Sequence, residues 1–128
     1  MEPSAVAAAA ELLAQARRDK TTIEGLPDHL KPQNLVDAYR IQDALIPLIE
    51  ELSNGKAAGY KAGATTEAAQ QNFGLDTPFR GVLVSSYMLE DGDTVAAAEW
   101  RNRRAWWRNR RARRFRTWDT CWLVGCIR

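Results

Sequence analysis

The apolar positions of this chain follow a helical period at first and a strand period later. Between residues 4 and 19, Val6, Ala9, Leu13 and Ala16 recur three and four apart and fall on one face. Ser4 stands where an N-cap would, and the surrounding alanines favour a helix. The stretch TTIEGLPDHLKP, with Gly25, Pro27 and Pro32, interrupts the period and reads as a loop. Over 33–52, Leu35, Ala38, Gln42, Leu45, Ile49 and Leu52 resume it with Tyr39 beside them, so a second helix is expected. Pro47 lies inside that pattern. An interior proline removes a backbone donor at about 3 kcal/mol, so a kink or a split is expected there.

Asn54-Gly55 then marks a turn, and the spacing changes. Lys56–Gly63 gathers small residues and glycines around Tyr60 and Lys61, which suits a short strand ending in a loop. Thr65 or Thr66 can cap a third helix that runs through Phe73 and closes at Gly74 in the left-handed conformation. Pro78 and Gly81 predict another loop, Val82–Met88 a strand, Glu90–Asp93 a turn, and Thr94–Ala98 the start of a further strand. Helices followed by strands give an α+β class.

From Trp100 onward neither period continues. Residues 1–100 carry 8 Lys/Arg and 15 Asp/Glu, whereas 101–128 carry 10 arginines and only Asp119. All five tryptophans and both cysteines, Cys121 and Cys126, lie from position 100 on. Ten guanidinium groups in 28 residues cannot be buried without partners, so no stable fold is expected for the tail. The chain divides into residues 1–99 and an Arg/Trp-rich segment, 100–128.

Three readings of that segment stand together. It could be a basic arm for nucleic acid or an anionic membrane, with arginines on phosphates and tryptophans stacking or sitting at an interface. It could be a solvated extension with no role. The reading adopted here is a slip of the reading frame near residue 100, since a GC-rich gene read out of frame yields Arg, Trp, Ala and Gly codons. If each codon takes one base from its predecessor, Trp106-Trp107 gives valine. The next pairs then permit Glu at Arg108-Asn109, Pro at Asn109-Arg110 and Glu at Arg110-Arg111. An acidic strand is thereby allowed.

Charge and cysteine usage limit the remaining classes. The alanine-rich opening carries Glu2 and Glu11 and places Arg17 and Arg18 after the apolar stretch, the reverse of a secretory leader. No run reaches the roughly 18 apolar residues of a membrane span. The first hundred residues hold no cysteine, so a cytoplasmic setting is expected. No Walker loop, dinucleotide fingerprint, zinc spacing or nucleophile elbow appears.

Two stretches carry a resemblance. AYRIQDAL, residues 38–45, resembles the Ala-Tyr-x-Ile-Gln segment of the 2-keto-4-pentenoate hydratase group, within the fumarylacetoacetate hydrolase superfamily. GYKAGATTEAAQQNFGLDTPFRGVL, residues 59–83, resembles its Gly-x-Lys-x-Gly-x-Thr segment, helix, Gly-hydrophobic-Asp-x-Pro turn and Gly-x-Leu strand. Their order and spacing make the likeness specific, and it extends over about residues 5–98. It implies the N-terminal helical and short-strand subdomain of that fold, with the catalytic β-rich core absent.

The resemblance also implies chemistry. Family members add water to a 2-hydroxydienoate or its 2-oxo tautomer in aromatic catabolism, and relatives decarboxylate or cleave a C–C bond. Mg²⁺ or Mn²⁺ chelates the small 2-oxo acid and stabilises the enolate-like charge, and the proteins assemble as homo-oligomers. Hard oxygen ligands suit such an ion, and the family's glutamates fall after the point where this chain becomes the Arg/Trp segment. No metal is therefore expected on this chain, which should be inactive as it stands.

Lys61 matches the family's Gly-x-Lys lysine. There a cation would meet the substrate carboxylate or the developing enolate by preorganised electrostatics; without the resemblance, a solvated lysine at a strand end is the preferred reading. Other candidates are weaker. His29, the one histidine, lies in a proline-rich loop and reads as a surface imidazole. Asp76 suits turn chemistry, Gly59, Gly63 and Gly81 suit backbone geometry, and Glu99 reads as a strand-end residue. Phe79-Arg80 stands where some relatives carry an acidic or aromatic residue, so a polar contact found in them does not carry over to this pair.

Overall fold

A computed structural model of the chain describes residues 1–21 and 23–94. Helix α1, Pro3–Arg18, starts two residues earlier than the Ser4 cap implied, on Glu2 with no side-chain cap bond. Pro3 explains the shift, because its fixed φ and missing N–H suit the first helical position. The expected stripe of Val6, Ala9, Leu13 and Ala16 is buried, widened by Ala10, Ala14 and Arg17. A 3₁₀ turn, Asp28–Leu30, sits within the proline-rich connection and buries Leu30.

Helix α2, Leu35–Ser53, is capped by Asn34, whose side chain accepts from the Asp37 N–H. The helix continues through Pro47 without the expected break. Pro47 and Asp43, whose carbonyl loses its helical partner, are both exposed, so water can satisfy that oxygen. Asn54 ends the helix at φ 51, with its N–H on the Glu50 and Glu51 carbonyls. Ile41, Gln42, Leu45 and Ile49 form the buried face, and Ile41 is fully enclosed. Ile41, Leu45 and Ile49 meet Val6, Ala9 and Leu13 of α1, with Leu26, Leu30 and Val84, in the main core.

The starts of α1 and α2 lie together. The Met1 ammonium stands 2.9 Å from the Asp37 carboxylate, and the Arg40 guanidinium is 3.5 Å from the same oxygen. The hydrogen bond from Met1 holds the Asp37 carboxyl below the ordinary carboxylate range, against an opposing effect of burial. The folded state therefore binds that proton less readily than the unfolded chain. This contribution is complete above the ordinary range and is lost as pH falls through the lowered value. Asp37→Asn should flatten the fall in stability below about pH 4, read as urea midpoints across pH; an unchanged slope would remove Asp37 from the acid response.

Strand β1, Ala57–Gly63, leads to helix α3, Glu67–Phe73, which Thr66 caps and Gly74 closes at φ 66. Strand β2, Phe79–Val84, pairs antiparallel with β1 in a two-stranded sheet. Two expectations change here. Gly81 lies inside β2, not in a loop, and the strand covers 79–84 where 82–88 was expected. Pairing decides this, since Phe79 and Arg80 face Gly63 and Ala62. Beyond Val84, the chain curls into a 3₁₀ turn, Ser85–Tyr87, whose serine exchanges bonds with Lys56. The Glu90–Asp93 turn is present, with its backbone and side-chain bonds. The elements make an α+β unit; the strand expected from Thr94 and the segment 101–128 lie outside the described residues.

Candidate functional site

The strand that carries Lys61 is anchored where it leaves α2. The Glu50 carboxylate accepts the Ala57 N–H at 2.7 Å and the Lys56 ammonium at 3.1 Å. The Ala57 bond first, and Lys56 next, hold the Glu50 carboxyl below its ordinary value. Ser85 adds a second tie, its hydroxyl accepting from Lys56 N–H at 3.0 Å and its N–H donating to Lys56 C=O at 2.8 Å. The strand then runs Gly59-Tyr60-Lys61-Ala62-Gly63 against β2.

Register sets the surroundings of the lysine. Lys61 pairs with Gly81, and Gly63 pairs with Phe79. Directly opposed residues share a face, and so do residues two apart on a strand. Lys61 thus shares its face with Gly59, Gly63 and Gly81, and with the side chains of Phe79 and Leu83 opposite the outer two glycines. Lys61 itself is half-buried. Gly63 is required by close approach: a Cβ there would lie 2.6 Å from two atoms of the buried Phe79 ring. Gly59 has no such need, its Cβ position being 4.0 Å from Leu83. None of the three has a positive φ. The chain leaves β1 through Ala64 at φ 51, a left-handed conformation costing a non-glycine residue about 1 kcal/mol. Gln70 of α3 donates to the Ala64 carbonyl at 3.0 Å.

The opposite face carries a second group of side chains, on Arg80. Its N–H donates to the Tyr39 hydroxyl at 3.1 Å, and its carbonyl accepts from Gln42 Nε2 at 3.5 Å. Its guanidinium lies 5.1 Å from the Tyr39 ring centre and 5.3 Å from that of Tyr60, within cation–π range. Asp43 stands 3.5 Å from the same guanidinium. Sequence reasoning gave Tyr39, Gln42 and Arg80 no role at the site. The available signal was the one-turn spacing of Tyr39 and Gln42 on a helix followed by a strand.

The two stretches singled out in sequence, 38–45 and 59–83, therefore meet in space at Arg80. Comparison with known proteins covers the same ground. The chain is 36% identical over 91 residues to 2-keto-4-pentenoate hydratase 1 of Dechloromonas aromatica (strain RCB), covering 70% of this chain and 34% of the relative. It is 33% identical over 96 residues to the 2-keto-4-pentenoate hydratase of Paraburkholderia xenovorans (strain LB400), covering 74% and 35%. Over about seven tenths of its length the chain is similar to the 2-keto-4-pentenoate hydratases. It spans about a third of the length of these relatives. No family model matches, and no solved structure matches.

Of the other candidates, His29 is exposed in the 3₁₀ turn, and Asp76 is exposed in the bend before β2. Phe79 is core and Arg80 half-buried, so this pair supplies a ring and a cation. Glu99 lies outside the described residues. Among the described residues no three His, Cys, Asp or Glu side chains come together as metal ligands. The described residues thus assemble no oxygen-donor set of the kind Mg²⁺ or Mn²⁺ requires. No helix of the described residues is long and apolar enough to cross a membrane.

Proposed function

We propose that this chain carries the N-terminal part of a hydratase of the 2-keto-4-pentenoate type, in the fumarylacetoacetate hydrolase superfamily. The observation that supports it is the identity over 91–96 residues, joined to the meeting of the two motifs on one hairpin. In this reading the parent enzyme adds water to a 2-hydroxydienoate or its 2-oxo tautomer. Lys61 is its substrate-facing cation, on the hairpin face where Gly59, Gly63 and Gly81 carry no side chain. A fixed ammonium in a site sheltered from water lowers the energy of charge developing on the 2-oxygen without reorganising at each turnover. The metal-holding glutamates and the β-rich core belong to sequence that follows the hairpin in the parent. The chain as given is then inactive, and its Arg/Trp segment is the product of a shifted frame near codon 100.

Nucleotide sequence around that codon, read in all three frames, tests this directly. The expected result is an open frame that continues through an acidic strand well beyond codon 128. Expressed from it, the longer protein should hydrate 2-hydroxypenta-2,4-dienoate or a close homologue when supplied with Mg²⁺ or Mn²⁺. If no such frame exists, the Arg/Trp segment is a genuine part of the protein. A gel shift that weakens steeply with salt would then assign it to nucleic acid.

A further inference from the structure

Strand β1 is built from residues that say little about how it should pair. Ala57, Ala58, Gly59, Ala62 and Gly63 offer almost no side chain for β2 to recognise, and glycine-rich strands specify register weakly. The pairing already shifts once, between Ala57 and Gly59. A slip of two residues would keep every side chain on its face and set Phe79 or Leu83 opposite Lys61 in place of Gly81. The Ser85–Lys56 bonds fix one end of the pair and the Gly63–Phe79 fit the other, and the middle, at Lys61, needs a hold from outside it.

The structure assigns that task to a clamp made by Tyr39 and Gln42 on Arg80, which makes them positioning residues for Lys61. Both come from α2, one turn apart, and they take both backbone polar groups of Arg80, the N–H at 3.1 Å and the carbonyl at 3.5 Å. Gln42 is 1% exposed, so its amide acts where water does not compete. In an antiparallel pair both polar groups of a residue point to the same side. Those of Arg80 point away from β1, and by alternation Lys61 and Gly81 are the pair that exchange hydrogen bonds. The Arg80 side chain completes the clamp, since it contacts Tyr39 on α2 and Tyr60 on β1. Helix and both strands are thereby fixed through one residue. The step from clamp to function rests on the reading of Lys61 as the substrate-facing cation.

The test uses the full chain with Tyr39→Phe and Gln42→Leu, singly and together, and two readouts. Amide hydrogen exchange should lose about tenfold protection at Lys61 and Gly81 in the double variant, while Ile41 and Ile49 change little. The rate of pulsed acetylation at Lys61, followed against pH by mass spectrometry, should shift its midpoint, which a merely structural role would not move. Unchanged exchange at Lys61 and Gly81 overturns the clamp, whatever Lys61 does in catalysis. Equal loss in strands and helices also overturns it, since that is global destabilisation. Opened strands with an unmoved acetylation profile overturn the positioning of Lys61. If the double variant does not fold, Tyr39→Phe alone, which removes one hydroxyl and keeps the ring, decides by the same criteria.

Discussion

In the longer hydratase that a restored frame would encode, Lys61→Met should lower turnover by more than about tenfold, the rate equivalent of about 1.4 kcal/mol. The substitution keeps an unbranched side chain one atom shorter and removes the charge. Preorganised donors aimed at a developing oxyanion commonly contribute more than that, so a smaller loss would argue for a peripheral lysine. Folding should be nearly untouched, because methionine occupies the same half-buried place on β1, beside Gly59, Gly63 and Gly81. Steady-state kinetics beside thermal melts of both proteins separate the two effects. A Lys61→Met enzyme with full activity would leave the relationship to the hydratases standing and remove Lys61 from their chemistry.

Gly63→Ala should destabilise the given chain by about 1–3 kcal/mol, the range for overfilling a packed site. The new methyl would stand 2.6 Å from the Phe79 ring, and that ring is 5% exposed with Phe73 edge-on at 5.6 Å. It has little room to give way. Phe79→Leu in the same chain should recover part of the loss, so the two substitutions combine non-additively. Urea denaturation of the two single variants and the double variant measures this. If Gly63→Ala costs nothing, the close approach does not explain the second glycine of the Gly-x-Lys-x-Gly segment.

Much of this arrangement was legible in the residues. The α1 stripe, the Asn54 turn, the Thr66 cap and the Gly74 stop each follow from local chemistry that nothing elsewhere overrides. The errors fell where a distant partner decides. Nothing local says that Phe79 and Arg80 belong to a strand; Gly63, Ala62 and Tyr39 do. Pro47 read as a breaker because the pattern could not show that the freed carbonyl faces water. At the site, the glycines around Lys61 were legible as geometry, but their reason was not. The close approach at Gly63 and the Arg80 contacts depend on register, which a strand of alanine and glycine does not encode.

The composition of β1 bears on how such a sequence can diverge. Ala57, Ala58 and Ala62 are exposed and Tyr60 is 66% exposed, so drift along the lysine's own strand meets little packing resistance outside Lys61 and Gly63. Constraint falls instead on Tyr39 and Gln42, which touch the strand pair from a helix about 20 positions earlier in the chain. Among divergent copies of this hairpin, substitutions should therefore accumulate beside the lysine sooner than on the helix face that addresses Arg80.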